Sequence, residues 1–467
     1  KTHSEKISQS AQKRLKLLER LTATKWVWSR STLNQTYKSY IKPVLHYGSE
    51  MLGTSPKHAD KFEKVQNQAL RIITGSVKTT PILAMQILTN NRPIQYDIEE
   101  KGILLYEKLR RLPYKNYWNS YINENRRLKT QVGFIQKILQ IKEKYEIPQK
   151  AQKLVTPLSP LEFGSINYSL NLTEEINKKT SNPIVMKQLA IETINIRYPE
   201  QMWLHVYTDG SLMNREAAAG AGIMCKLFSF YISLGKYTTH YDGELQAILT
   251  ALQQLFLHIN SFQNTVILSD SSSAIIALTH NQTIQDHRII EAKNCMRMLK
   301  NLNKNVVLQW IPAHCGLEGN EKADRLAKKG TLIQQSKINC LSYKSVQLYT
   351  KMKIKSHIAE QNKIQCETKI WKTLLKPNTI PNSPRSIAVA SFRLETGHDC
   401  LAAHLYKIKL LDSPHCIVCN NINTIMNKDH LMFCVDLQKI VGTPFQIAEY
   451  YWEARKRMMT NQEHQNI

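Results

Sequence analysis

HVYTDGS, the stretch from His205 to Ser211, decides the fold of the central part of this 467-residue chain. Apolar and polar side chains alternate along it, which predicts a short β-strand. One face carries Leu204, Val206 and Thr208, and the other carries His205, Tyr207 and Asp209. We expect the strand to end at Asp209-Gly210, because Asp-Gly is a common turn dipeptide. Taken alone, Asp209 is an ordinary turn residue.

Two more acidic residues follow at the ends of predicted elements. A helix predicted over Tyr241 to Phe256 carries Glu244 on the buried side of its first turn, where the helix dipole also favours a carboxylate. The segment NTVILSD is typical of a buried strand that ends in Asp270. A carboxylate at that place also suits a helix N-cap. Each residue therefore has a purely structural interpretation as well as a functional one.

A final strand, VVLQWIP from Val306 to Pro312, leads into a loop with His314 and a helix with Asp324. A lysine-rich helix that carries one aspartate is usually just a solvated helix. The order of the elements is more informative than any one of them. The ends of neighbouring strands can share one edge of a mixed sheet with a helix packed beside them. The sequence therefore predicts that the four carboxylates meet at one end of a sheet.

Four carboxylates gathered at one place repel each other strongly unless cations are bound between them. Oxygen ligands select the hard ions Mg²⁺ or Mn²⁺ over zinc. Two such ions about 3.5–4 Å apart form a known clamp for phosphodiester hydrolysis. The carboxylates therefore predict a metal-dependent phosphodiesterase.

Four motifs carry a resemblance to a known family: YTDGS, GELQAI, LSDSSSAI and WIPAHCGLEGNEKADRLAK. Together they resemble the type 1 ribonuclease H domain, and the most similar version is the one in polyproteins of non-LTR (LINE-type) retrotransposons. The resemblance covers residues 201–332. It implies an α/β ribonuclease H-like fold, which is a five-stranded mixed sheet with flanking helices. It also implies endonucleolytic hydrolysis of the RNA strand of RNA–DNA hybrids with two Mg²⁺ or Mn²⁺ ions.

The resemblance also implies a role for each residue of the site. The metal-binding and catalytic carboxylates are Asp209, Glu244, Asp270 and Asp324. His314 corresponds to the mobile histidine that assists proton transfer or product release. Gly210 and Ser211 are expected to approach the RNA strand near its 2′-hydroxyl groups, which distinguish RNA from DNA.

Two departures from the family pattern concern substrate affinity. The segment between Asp270 and Val306 lacks the lysine- and tryptophan-rich handle with which some cellular members grip the DNA strand. Ser272 stands where some members place a longer amide. We expect basic regions elsewhere in the chain to supply affinity through salt-sensitive phosphate contacts.

Residues 1–110 read as an all-helical, basic region. The runs LNQTYKSYIKPVLHYGSEM, KFEKVQNQALRIITG and TTPILAMQILTNNRPI resemble the helical segment that follows the palm in reverse transcriptases of non-LTR retrotransposons. The catalytic Tyr-x-Asp-Asp of the polymerase does not occur, so polymerase activity is not expected of this chain. The palm is expected in the same polyprotein or in trans. Residues 111–200 read as a basic helix and a linker, punctuated by Pro148, Pro157 and Pro160.

Residues 333–467 read as a helical, basic tail with a zinc motif. Cys416 and Cys419 form a Cys-x-x-Cys pair, and His430 and Cys434 follow. These ligand types suit tetrahedral zinc, so a structural Zn²⁺ is expected, although free thiols with an incidental histidine are the alternative. The stretch is similar to the tail after the ribonuclease H domain in retrotransposon polyproteins. Less favoured ligands are His398, Cys400, His404 and His415.

The positive charge is unevenly distributed along the chain. The net charge of +26 divides into +17 over residues 1–160, +1 over residues 161–330 and +8 over the remainder. A polyanion bound along the flanks and cut in the middle suits this distribution. A well-solvated basic surface is the alternative.

The sequence shows no secretory signal and no run of about 18 apolar residues, so no membrane association is expected. The odd number of cysteines, nine, favours reduced thiols and an intracellular protein in the nucleus or cytoplasm rather than a secreted one. Two other functions compete with hybrid hydrolysis. A non-catalytic nucleic-acid-binding remnant of an inactive element predicts a lost carboxylate, and none is lost. A transposase or integrase predicts fewer carboxylates and no GNEKAD helix.

Overall fold

The computed structural model describes most of the chain, with short gaps. The described residues are 3–23, 28–50, 56–112, 133–156, 159, 165–174, 182–213, 218–280, 285–333, 340–421, 423–438 and 446–465. Part of the predicted linker, including Pro157 and Pro160, lies outside them.

The chain divides into two compact units, named here the sheet unit and the helical unit. The sheet unit comprises Ile103–Arg126 and Lys142–Lys353. The helical unit comprises Lys1–Gly102, Arg127–Ile141 and Ile354–Ile467. The ranges 1–110, 111–200, 201–332 and 333–467 drawn from the sequence stay predictions.

The helices and strands are numbered in chain order. The α-helices are α1 His3–Ala23, α2 Arg30–Thr36, α3 Lys42–Leu45, α4 Pro56–Thr74, α5 Ile82–Thr89, α6 Ile94–Leu109, α7 Phe134–Lys144, α8 Pro183–Arg197, α9 His240–Leu257, α10 Ser272–Thr279, α11 His287–Asn301, α12 Glu318–Leu332, α13 Tyr343–Cys366, α14 Arg385–Thr396, α15 Ala402–Lys407, α16 Lys428–Phe433 and α17 Gln446–Gln465. A π-helical turn at Tyr37–Ile41 and 3₁₀ turns at Ile259–Ser261 and Ile370–Leu375 add to them. The strands are β1 Leu154–Val155, β2 Asn167–Ser169, β3 Trp203–Met213, β4 Ala218–Cys225, β5 Ser229–Gly235, β6 Asn264–Ser269, β7 Gln285–Asp286 and β8 Asn305–Trp310.

The sheet unit is built on a mixed sheet with the order β2-β8-β6-β3-β4-β5. Strands β3, β4 and β5 form an antiparallel meander, and β6 lies parallel to both β3 and β8. This arrangement confirms the predicted ribonuclease H-like fold of a mixed sheet with flanking helices. A short sixth strand, β2, pairs in parallel with β8 at the edge.

Strand β3 continues beyond the point where the sequence predicted its end. It runs through Asp209 and Gly210 to Met213, and each of these residues pairs with β4. The Asp-Gly turn prediction was therefore wrong. Turn preference is a local tendency, and pairing with the whole length of β4 overrides it.

Glycines let helix α12 lie directly on strand β4. A Cβ atom at Gly222 would lie 2.1 Å from the backbone oxygen of Ala323, and one at Gly220 would lie 2.2 Å from that of Ala327. Both distances are shorter than any real carbon–oxygen contact, so only glycine fits at these positions. The close packing fixes where α12 presents its side chains at the edge of the sheet.

Helix α8, in the range 111–200, belongs to the core of the sheet unit. Helix α8 contributes Ala190 and Ile194, and Tyr198 follows it into the same cluster. The Tyr198 hydroxyl donates a hydrogen bond of 3.0 Å to Gln309 of β8. This part of the predicted linker is therefore folded against the sheet.

The helical unit packs two apolar clusters. One joins the helices near the N-terminus, among them α4, which Gly75 follows at φ 64°. The other surrounds α14 and α17 and includes Cys416 and Cys434. Among the described helices, none is long and apolar enough to cross a bilayer.

Candidate active site

Asp209 lies where the parallel part of the sheet ends. The pairing of β3 with β6 stops at Thr208 and Ser269, and Asp209 is the next residue on β3, opposite Gly222 of β4. The residue is only 4% exposed. The end of β6 therefore opens a space beside a buried aspartate.

Glu244 projects from helix α9 toward the same place. Thr239 is the N-cap of α9, and it forms a capping box with Asp242. Glu244 lies one turn further along and is fully buried, and neither of its carboxylate oxygens accepts a hydrogen bond of good geometry from a residue that the structure describes. Thr239 and Asp242 cap the start of α9, so helix capping does not explain why a carboxylate is present at Glu244.

Gly210 allows β3 and α9 to meet. A Cβ atom at this position would lie 2.5 Å from the backbone nitrogen of Glu244 and 2.8 Å from the backbone oxygen of His240. Packing therefore requires glycine here. The contact of Gly210 and Ser211 with RNA stays a prediction.

Asp270 directly follows strand β6. The N-cap of helix α10 is the next residue, Ser271, whose hydroxyl accepts a hydrogen bond of 3.3 Å from the amide of Ala274. The N-cap alternative therefore does not hold for Asp270. Its backbone oxygen accepts a hydrogen bond of 3.1 Å from the Trp310 indole at the end of β8.

Asp324 and His314 complete the set. Asp324 is a buried residue of α12, and Lys328 on the next turn lies 2.5 Å from its Oδ2 atom. His314 is exposed in the loop between β8 and α12, with a left-handed φ of 49°. One open cavity is lined by all five predicted residues together with Gly210, Ser211, His240 and Lys328.

The acidic groups of the cluster are buried and repel one another. Burial and the charges of Asp270 and Asp324 raise the pKa of Asp209 to about 8. Burial and the charges of Asp270 and Asp209 raise the pKa of Glu244 well above its usual value. Divalent cations would relieve both effects, because they supply the charge that the buried carboxylates lack.

A comparison with protein families assigns this part of the chain. Residues 201–332 match the family model described as RNase H. Residues 201–332 form an RNase H domain. The solved structure of RNase H1 from the halophilic archaeon Halobacterium salinarum NRC-1 is similar over 27% of this chain and 96% of that one, with 20% sequence identity and a TM-score of 0.23. The family supports hydrolase activity on RNA–DNA hybrids in general.

His240 lines the candidate site, and the sequence did not single it out. It is the first residue of α9, and ligand atoms of Asp209, Glu244 and His240 all lie within 4.8 Å of one another. Its spacing of four residues from Glu244 was the available signal, because residues four apart share a helix face.

The Cys-x-x-Cys motif forms a second cluster, in the helical unit. Ligand atoms of Cys416, Cys419, His430 and Cys434 lie within 4.8 Å of one another. Cys419 Sγ is 3.5 Å from His430 Nε2. The less favoured ligands His398 and His404 contact Thr79 instead, at 3.1 and 3.3 Å.

Proposed function

We propose that the RNase H domain cuts the RNA strand of RNA–DNA hybrids internally, with two divalent ions held by its carboxylates. The observation that carries this proposal is Glu244, which is fully buried, while no described residue donates a hydrogen bond of good geometry to either of its oxygens. A buried carboxylate in this state is costly unless a cation or a proton compensates it. The neighbouring Asp209, Asp270 and Asp324 make a cation the better partner.

The carboxylates fit Mg²⁺ or Mn²⁺, because they offer several oxygen donors at one end of the sheet. Asp209, Glu244, Asp270 and Asp324 would hold the ions. When bound, such a pair supplies the activation of the attacking water and the stabilisation of the leaving oxygen. His314, exposed at the rim of the cavity, is placed to take up a proton or to help the product leave.

The substrate surface follows from the same cavity. Gly210 and Ser211 line it beside Asp209 and would contact the RNA strand near its 2′-hydroxyl groups. Lys328 pairs with Asp324 at 2.5 Å but is 60% exposed, so its amine can turn toward a phosphate when cations replace it. The basic ranges that precede and follow the domain in the sequence would add phosphate contacts.

The experiment uses the full chain and a labelled RNA–DNA hybrid, with duplex RNA and duplex DNA as controls. We expect cleavage of the hybrid with Mg²⁺ and none with EDTA. Asp209→Asn should lower the cleavage rate by at least about a hundredfold while hybrid binding persists, because catalysis and phosphate contacts are separate. Glu318→Gln is the matched control, since Glu318 is an 81% exposed carboxylate on the same helix as Asp324.

The outcomes separate two functions. Equal cleavage by wild type and Asp209→Asn would show that the site is placed wrongly. Hybrid binding by the wild type without cleavage, with Mg²⁺ and with Mn²⁺, would favour the alternative, a non-catalytic nucleic-acid-binding remnant of an inactive element. The retained carboxylates favour the enzyme.

We also propose that the chain works beside a reverse transcriptase in a retrotransposon-derived protein, inside the cell. The support is the resemblance of residues 1–110 to the helices that follow a polymerase palm, a range in which the described residues are largely helical. Binding between this chain and a separately produced palm of the LINE type, measured in solution, tests the proposal. Absence of binding in trans, together with an open reading frame that lacks a palm, would contradict it.

We further propose that Cys416, Cys419, His430 and Cys434 hold a structural zinc ion. Three sulfur atoms and one imidazole are a common tetrahedral zinc set, and these ligand atoms already lie within 4.8 Å of one another. Two of the cysteines belong to an apolar cluster. An ion here would stabilise the helical unit and take no part in hydrolysis.

A further inference from the structure

His240 places an imidazole at the mouth of the carboxylate cluster. Its Nδ1 atom is 3.5 Å from Oε1 of Glu244, and its side chain is 57% exposed. The ring therefore reaches into the site from the solvent side, while Glu244 lies in the interior. The separation is too long for a good hydrogen bond, so His240 does not donate one to Glu244.

The donor atoms are spaced as ligands of one ion. Two ligands on opposite sides of a small divalent cation are separated by roughly 4.2 Å, twice the usual metal–oxygen distance. Ligand atoms of Asp209, Glu244 and His240 all lie within 4.8 Å of one another, so side-chain adjustment of less than an ångström brings them to one ion. The exposed His240 ring has the room to make that adjustment.

We infer that Nδ1 of His240 is a nitrogen ligand to the divalent ion held by Asp209 and Glu244. The inference rests on the proposed function, because it concerns the same metal site. It adds a donor that the carboxylate set does not contain. An ordinary ion pair between residues four apart on one helix, with Glu244 buried, is the alternative.

A nitrogen donor changes which ion the site prefers. Carboxylate and water oxygens suit Mg²⁺, whereas imidazole suits later divalent metals, and Mn²⁺ accepts both kinds of donor. His240 should therefore raise the affinity of the site for Mn²⁺ more than that for Mg²⁺. In His240→Asn, Mn²⁺ affinity should fall by about tenfold or more, as expected for loss of a metal-site partner.

Pulsed electron paramagnetic resonance of Mn²⁺ bound to the full chain tests the contact directly. The wild type should show hyperfine coupling to an imidazole nitrogen, and His240→Asn should lose it. His314→Asn is the control for the other histidine that lines the cavity, and it should keep the coupling. Thermal melting without metal should be unchanged in His240→Asn, because Thr239 and Asp242 cap the helix without the ring.

Binding titrations separate failure of this inference from failure of the proposed function. Nitrogen coupling that is absent from the wild type, or that persists in His240→Asn, overturns the inference while hybrid cleavage remains as evidence for the enzyme. If only His314→Asn loses the coupling, the nitrogen donor is His314 and not His240, and the inference is overturned. If the wild type and Asp209→Asn bind Mn²⁺ equally weakly, the metal site itself is refuted, and both conclusions fall.

Discussion

The protonation of Asp209 links the site to the stability of the metal-free protein. Its folded-state pKa of about 8 lies above the ordinary value of 3.8, so the folded protein holds this proton more tightly than the unfolded chain. The free energy of unfolding in EDTA should therefore fall as pH rises from about 4 to about 8. Asp209→Asn should make this slope shallower and stabilise the protein at pH 8 by on the order of 2 kcal/mol.

Urea titrations of the metal-free protein across this pH range measure the effect. Glu318→Gln, which alters an exposed carboxylate, should keep the slope of the wild type. If the free energy of unfolding fell more steeply with rising pH in Asp209→Asn than in the wild type, the predicted direction of the effect would be wrong. Adding Mn²⁺ should remove the loss of stability at high pH, because a bound cation replaces the proton.

The order of the motifs predicted five side chains that line one cavity, but it did not predict their surroundings. The sequence predicted that Asp209 and Asp270 each lie at the end of a strand. Strand β6 does end just before Asp270, but β3 continues past Asp209. It left the N-cap open for Asp270, and Ser271 takes that place. His240 was missed, because a histidine at the start of a helix has no distinctive pattern until Glu244 is seen beside it.

At the scale of elements, the helix that carries Glu244 is anchored from outside the segment that matches the family. Arg288 of α11 lies 2.5 Å from Asp242, and Ser345 of α13 donates a hydrogen bond to the same carboxylate. Residue 345 lies beyond the matched range, which ends at 332. Local sequence patterns do not reveal such long-range polar contacts, since each partner alone has an ordinary composition.

The contact between β4 and α12 should be sensitive to one methyl group. In Gly222→Ala, the added Cβ would lie 2.1 Å from the Ala323 oxygen, so α12 must shift and carry Asp324 with it. We expect destabilisation by about 1–3 kcal/mol, as for other overpacked sites, and a larger proportional loss of cleavage. Thermal melting and hybrid cleavage measure the two effects.

Gly133→Ala provides the matched control, because no atom of the described residues lies within 4 Å of a Cβ at that position. It should leave melting and cleavage near the wild-type values. Full cleavage by Gly222→Ala would show that α12 can move without affecting the site. The glycine spacing in AAAGAGIMC was visible in the sequence, but its partner helix was not.

At the scale of the whole molecule, the charge distribution predicts salt-sensitive binding. The flanking ranges carry +17 and +8, and the central range carries +1. Binding of an RNA–DNA hybrid to the Asp209→Asn variant should weaken by at least about tenfold between 50 and 200 mM salt, because phosphate contacts release counterions. Fluorescence anisotropy measures this, and a flat salt response would refute a role for the basic flanks.

The fold class of the central region followed from the sequence, but its extent did not. The alternation of strands and helices predicted the mixed sheet, and the structure adds β2 and α8 from a range that was predicted as linker. Helix α8 has a weak amphipathic pattern, and β2 is three residues long, so periodicity could not identify either. Both become recognisable only when the sheet is present to pack against.

Removal of zinc should destabilise the helical unit. Cys434→Ser should lower the melting temperature by several degrees and reduce the zinc content, because the proposed ion would link Cys416 and Cys419 to His430 of α16. Cys366→Ser is the control, since Cys366 is equally buried in the same unit but lies outside the cluster. Zinc content by mass spectrometry and melting with and without a chelator are the measurements. If both variants contain equal zinc, the four residues hold no zinc. If a chelator lowers the melting temperature of Cys434→Ser as much as that of Cys366→Ser, the ion is bound elsewhere.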